Sequence, residues 1–240
     1  MSVLTEVSVR NMVRDNKITD ILYLDKEQII TPSAKTYLSD KNITIKYINS
    51  NEVETTPIEV PTQFKTLFGA ILDEKPEYMT HLRGDTLVFK DHPRIAFRGA
   101  IDSLEADILS MQVNVLDKSK LVEDLQEILL FTRKLLKCEV GGKPVGEFTL
   151  LGLNSAEIRE HSHHTNKYYG IAHFLPDYTQ GAMVIGLNKL RTKVREVELI
   201  AYKAFSDQYN TVERADIIKA LNRLSSAFWI MMVKCVAKQY

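Results

Sequence analysis

From Pro93 onward, apolar residues recur at spacings of three and four, the period of helices that bury one face. The stripe Phe97, Ile101, Leu104, Ile108 and Met111 predicts a helix that Pro93 opens and that ends near Met111. A second, from about Lys120 to Lys137, carries Leu121, Leu125, Ile128 and Leu135 and stops at Gly141-Gly142. A third, Leu187 to Phe205 with Gly186 before it, buries Leu187, Leu190, Val194, Val197, Ala201 and Ala204. The last stripe, Ile217, Leu221, Leu224, Phe228, Met231 and Cys235, runs to about Lys238, and Asn210 with Glu213 three residues on reads as its N-cap.

The first 60 or so residues are patterned differently. After an amphipathic turn or two, Ile21–Asp25 (ILYLD) and Ile43–Ile48 (ITIKYI) read as strands. Between them Thr31-Pro32 supplies an N-cap and a first-turn proline for the short helix PSAKTYLSD, giving a small β-α-β appendage. Asn51 to Pro61 is polar and proline-punctuated, a linker by composition. The pattern over Gln63 to Glu77 suggests a helix leading into the main domain, and Tyr78 to Lys90 reads as a polar loop with one glycine. The expected division is an appendage over 1–60, a linker and leading helix over 61–77, and a helical domain over 78–240.

Composition adds boundaries more than identity. The 240 residues are 45% hydrophobic and 26% charged, an ordinary globular balance. Lys plus Arg and Asp plus Glu both number 31, so no global field favours nucleic acid or anionic membrane. The two cysteines, Cys138 and Cys235, sit in apolar helical contexts and read as reduced thiols rather than a disulfide frame. Neither a secretory signal nor an apolar run long enough to span a bilayer is evident, so a cytoplasmic protein is expected.

Candidate chemistry gathers at the middles of the helices. Arg191, Arg195, Glu198 and Tyr202 run beside the stripe of the third helix, and two guanidiniums one turn apart beside a buried seam call for an anion. A salt-bridge ladder on the helix edge is the plainer alternative. Arg98, Asp102 and Glu105 form a mixed row on the first helix, and Asn222, Arg223, Ser225 and Ser226 interrupt the last with polar groups, as a site or a satisfied network does. An arginine cluster suits a polyphosphate, and Asn and Glu suit its Mg²⁺. His161, His163 and His164, with His173 further on, have spacing a metal can use, yet no cysteine or second-shell pattern accompanies them; a polar loop at a cleft is the competing view. No P-loop, nucleophile elbow, HExxH or dinucleotide fingerprint is present.

The segments ITPSAKTYL, MTHLRGDTLVFKDHPRIAFRGAIDSLEADI, LRTKVREVE and ALNRLSSAFWIMM resemble, in order, the ATP:corrinoid adenosyltransferases of the ethanolamine-utilisation type, which are related to the propanediol-utilisation type. The resemblance implies a mainly α fold, a bundle of about five helices with the small β-α-β appendage in front. Propanediol-type relatives form trimers with active sites between subunits. The implied reaction transfers the 5′-deoxyadenosyl group of ATP to cob(I)alamin and releases triphosphate. Arg191 and Arg195 match the family's R-x-x-x-R and should hold the triphosphate, with Glu198 the glutamate three further on. Asp102 matches the aspartate after Gly99 and should pair with Arg191 of a neighbouring subunit. Asn222, with Arg223 beside it, should help hold ATP and Mg²⁺. Thr80, Gly84, Asp85, Thr86 and Lys90 approximate the family's phosphate loop, though this stretch is poorer in glycine.

Because Co(I) is itself the nucleophile, the resemblance leaves the protein alignment and charge stabilisation. Phe174 and Leu175 are candidates for the apolar wall that displaces the corrinoid's lower ligand, with core packing the alternative. Many ethanolamine-type relatives carry a His- and Cys-rich metal motif between appendage and bundle. Residues 50 to 80 hold neither type, so no structural metal is expected beyond Mg²⁺ on ATP. Expected partners are ATP, the corrinoid and a reductase, with no nucleic acid or membrane, in the cytoplasm or a bacterial microcompartment. The rival is a corrinoid carrier or microcompartment interaction module without turnover.

Overall fold

The computed structural model describes residues 3–14, 18, 21–25, 28–41, 43–48 and 63–240. The chain forms two compact units, Met1–Val60 and Pro61–Tyr240. The linker expected at Asn51 to Pro61 lies outside the described residues.

In the first unit β1 (Val3–Leu4) leads to α1 (Glu6–Arg14), β2 (Ile21–Asp25), β3 (Ile29–Ile30), α2 (Pro32–Asp40) and β4 (Thr44–Ile48). β2 pairs with β4 in parallel, Ile21 opposite Thr44, and α2 crosses between them. Thr31 caps α2, its hydroxyl accepting from the Ala34 N–H, and Pro32 fills the first turn. Leu22, Leu24, Ala34, Leu38 and Ile43 close a small separate core.

The second unit begins differently from its sequence pattern. Where Gln63 to Glu77 suggests a helix, the chain forms β5 (Phe64–Thr66) and β6 (Ile71–Leu72). The expected polar loop over Tyr78 to Lys90 is a hairpin, β7 (Met79–Arg83) and β8 (Thr86–Phe89). Gly84 turns this hairpin at φ 54°, a left-handed conformation suited to glycine. The four strands make one sheet in the order β6-β5-β8-β7.

The helices follow: α3 (Pro93–Asn114), α4 (Ser119–Val140), then a short hairpin of β9 (Thr149–Leu150) and β10 (Leu153–Asn154). After it come α5 (Ser155–His163), α6 (Thr165–Tyr169), α7 (Gly181–Phe205) and α8 (Ala215–Val236). The domain is mainly α, built on four long helices, with α5 packed on α8. Phe97, Ile101, Leu104 and Ile108 of α3, Leu121, Leu125, Ile128 and Leu135 of α4, and Leu187, Val194 and Val197 of α7 are fully buried. Each such side chain contributes about 1.5–3 kcal/mol of transfer free energy.

Two helix starts depart from expectation. α7 begins at Gly181, so Gly186 lies inside it rather than before it. A Cβ at Gly186 would stand 2.6 Å from Met111 Sδ of α3, so glycine there serves close packing and not termination. Nor does Asn210 cap α8, which starts at Ala215; Asn210 has φ 60° in a loop closed by a Ser206–Val212 bridge. Glu213 instead takes Arg94 of α3.

At the true start of α8, Arg214 donates from Nε and NH2 to the Asp216 carboxylate, which also accepts from the Val145 N–H. The Arg214 hydrogen bond chiefly holds the Asp216 carboxyl below its ordinary range, against the opposing effect of burial. A lowered folded-state pKa means stability present above the unfolded carboxylate range and lost as pH falls through the folded value. Asp216→Asn is accordingly expected to cost about 1–2 kcal/mol near neutrality. The gap from the parent protein should narrow in acid, as urea titrations across pH would measure.

Candidate active site

A polar cavity of about 360 Å³ opens between α5, α7, α8 and the segment before α7. Arg191 and Arg195 enter it from α7, and Asn222, Ser225, Ser226 and Trp229 from α8. Ser162 and His163 close it from α5, and His173 from the loop. Among the described residues no carboxylate lines it. Packing of α7 on α8 through Val194, Val197, Leu221 and Leu224 puts the two polar rows at one edge of the seam.

Arg191 is half-buried, its Cζ 5.7 Å from the centroid of the Trp229 ring, a cation–π contact. Burial, and then the like charge of Arg195, disfavour its cation. An arginine nevertheless stays protonated in a protein, so the cost stands as an unmet demand for an anion. Among the described residues neither guanidinium has an ion-pair partner, so the helix-edge salt-bridge ladder does not form. Lys189 and Lys193, on the same helix, do pair, with Asp107 and Glu196.

Glu198 and Arg223 adjoin the cavity without lining it. Asn222 links them: its Nδ2 donates to Glu198 Oε1 at 3.3 Å, and its Oδ1 accepts from Arg223 at 2.7 Å. Arg223 also donates to the Ser155 carbonyl at 2.9 Å, fixing the start of α5. Burial lowers the Arg223 pKa, assisted by Arg159.

The remaining expected residues lie elsewhere. Asp102 is exposed on α3 and has no partner among the described residues. Thr80, Gly84, Asp85, Thr86 and Lys90 belong to the β7–β8 hairpin and its exit; none lines the cavity, and Asp85 faces Lys65 at 3.6 Å. Phe174 packs on Trp229 with ring centroids 4.9 Å apart, whereas Leu175 is 83% exposed. His161 and His163 sit on α5 rather than on a loop, and His164 is its C-cap. His161 bonds the Tyr169 hydroxyl and stacks on Tyr168, and His164 faces Glu160, so the cluster is split three ways. Among the described residues no group of three His, Cys, Asp or Glu side chains is placed to hold a metal.

Ser162 and Trp229 are the lining residues that the sequence pattern does not single out; Ser226 reads with Asn222 as a polar interruption, and His173 with the histidine cluster. Ser225, Ser226 and Trp229 fall three, four and seven residues beyond Asn222, on one helical face, which was the available signal. A larger cleft of about 600 Å³ lies over the sheet, lined by Leu67, Phe68, Leu72, Tyr78, Leu87 and Phe89 among others. It shares no residue with the polar cavity and lacks a cationic pair.

The cobalamin adenosyltransferase family matches residues 71–235, which takes in strands β6 to β8, essentially all of the four long helices and the whole cavity. The chain belongs to that family. Corrinoid adenosyltransferase EutT of Salmonella typhimurium is 31% identical over 236 residues, covering 90% of this chain and 86% of that protein. The protein of the same name from Escherichia coli K12 is 30% identical over 91% of this chain. No solved structure matches. Among the described residues no helix is long and apolar enough to cross a membrane.

Proposed function

We infer that the chain is an ATP:corrinoid adenosyltransferase, moving the 5′-deoxyadenosyl group of ATP to cob(I)alamin and releasing triphosphate, in support of ethanolamine breakdown. The observation that carries the site assignment is the pair Arg191 and Arg195, unpaired by any carboxylate among the described residues and facing a cavity lined by donors. In the reaction the Co(I) electron pair forms the bond to C5′ of the ribose. The C5′–O bond breaks, and its pair leaves on triphosphate. No protein nucleophile or general base is needed. Arg191 and Arg195 bind the phosphate tail and offset the charge that builds on the departing oxygen. Asn222 keeps Glu198 and Arg223 aligned at the cavity edge.

Magnesium accompanying the nucleotide supplies further charge neutralisation. Glu198 and Asn222 are the oxygen donors that would hold it, and a cation largely liganded by phosphates and water needs few others. Phe174, seated on Trp229, serves as an apolar wall for the corrinoid, and the exposed Leu175 extends it. Asp102 shares an exposed face of α3 with Leu109 and Val113, which are 43% and 67% exposed. That combination of a free carboxylate and apolar side chains suits a homotrimer in which Asp102 meets Arg191 of the neighbouring subunit. A reductase supplies Co(I), and a bacterial microcompartment is the proposed setting.

A carrier that binds corrinoid without turnover has no use for two orphaned guanidiniums. Anaerobic mixing of the protein with ATP and cob(I)alamin separates the two readings by visible absorbance. Conversion to the adenosylated spectrum is expected; its absence with photochemically reduced cobalamin would favour the carrier.

A further inference from the structure

His163 and His173 have no part in the function so far described, yet both line the cavity with Arg191 and Arg195. Their neighbours in sequence are committed: His161 to Tyr169 and His164 to Glu160. By contrast, among the described residues the ring nitrogens of His163 and His173 have no hydrogen-bond or ion-pair partner. His173 is held only through its face, 4.9 Å from the Trp229 ring, which leaves its edge nitrogens for a ligand. His163 sits in the last turn of α5, whose start is fixed by the Asn154–Glu157 capping box and by Arg223 on the Ser155 carbonyl. His163 is thus carried on an anchored helix, and the His173 ring is braced by Trp229.

The charges around the two rings favour an anion between them. From α7 the facing groups are Arg191 and Arg195, and from α8 all the lining groups are neutral. On α5, Arg159 lies near Arg223, and Glu160 is taken by His164 and by Lys167 of α6. Glu198 is bonded to Asn222. We propose that His163 and His173 are phosphate ligands that complete the arginine site and make its grip on triphosphate depend on pH. Imidazole is the side chain whose charge ordinarily changes in the physiological range, so the grip tightens with acidity and relaxes as pH rises.

The proposal rests on the phosphate-site reading above, and one experiment separates the two. Tripolyphosphate binding to the full-length protein is measured by calorimetry at about pH 6 and about pH 8, spanning the ordinary histidine range. The proteins are the parent, His163→Gln/His173→Gln and Arg191→Ala. The double histidine variant is expected to bind about tenfold more weakly at the lower pH and nearly as the parent at the higher, as loss of charge-assisted bonds requires. Comparison with the parent cancels the protonation of the ligand itself, and glutamine retains a neutral donor. A double variant with the parent's pH dependence overturns the histidine proposal, provided Arg191→Ala has lost binding. Arg191→Ala that binds as the parent overturns the phosphate site, and the histidine proposal with it. Unchanged circular dichroism confirms that each variant is folded.

Discussion

Arg191→Ala is expected to lower kcat/KM for ATP by about a hundred- to a thousandfold, the range for removing one preorganised charge stabiliser. The thermal midpoint of the fold should stay where it is or rise. Both halves follow from the same observation. The guanidinium is half-buried beside Arg195 and Trp229 with no carboxylate partner, so its removal orphans no buried anion and relieves a like-charge contact. Within its own chain, on the proposed reading, its favourable interaction waits for a phosphate tail. Anaerobic spectrophotometry of cob(I)alamin conversion, run beside differential scanning calorimetry, checks both. Arg191→Lys should recover only part of the loss, because a point charge cannot reproduce the planar fork. With Asp102 of a neighbouring subunit as the partner, Arg191→Ala also sediments as a smaller species. A parent-like rate removes Arg191 from the site.

The pattern that made Arg191 legible is the reason the helical domain was legible at all. Stripes such as Phe97, Ile101, Leu104, Ile108 and Met111 survive because a long helix repeats its buried face for several turns. The same rule exposes Asn222 and Ser225 as polar intrusions. The strands gave no comparable signal. β5 and β6 span three and two residues, too few for a period of two to show. The β7–β8 hairpin has a register irregularity between His81 and Arg83, and Leu87 and Val88 are both buried, so alternation is broken where the polar turn Gly84-Asp85 already suggests a loop.

Termini were misplaced for local reasons. Asn210 and Glu213 have the spacing of a cap, but a residue at φ 60° is not in the extended conformation an N-cap takes. Gly186 looks like a stop in sequence, and only the approach of Met111 shows why a helix interior keeps it. The site was half legible. Residue types on one helix can be aligned by counting, which found Arg191, Arg195 and Asn222. Convergence between helices cannot, so His163 and His173 read only as a metal cluster or a polar loop, Trp229 is not singled out, and nothing in the pattern shows that the hairpin residues Thr80 to Lys90 stand apart from the cavity.

Arg98→Ala should have the opposite signature. Glu139 on α4 is completely buried, and Arg98 Nε meets its Oε2 at 2.7 Å; the other approach, from Arg94, is 3.7 Å, and Oε1 has no hydrogen bond. Truncating Arg98 leaves a buried carboxylate with one distant cation, a change that costs about 3–5 kcal/mol. For a unit of this size the midpoint should fall on the order of ten degrees. Arg98 also donates to the His81 and Leu82 carbonyls, so hydrogen exchange in the β7–β8 hairpin should accelerate beyond that of the helices. Replacing both charges, Arg98→Met with Glu139→Leu, should recover most of the stability, since the cost lies in the unpaired anion and not in the loss of the pair. The folded fraction of Arg98→Ala should turn over at nearly the parent rate, because neither residue reaches the arginine cavity. A loss below about 1 kcal/mol, the size of an exposed pair, would show that water or Arg94 already satisfies Glu139. Residue type does not separate the two arginines: the one whose carboxylate is supplied by its own chain holds the fold, and the one without is, on the proposed function, the one that meets the substrate.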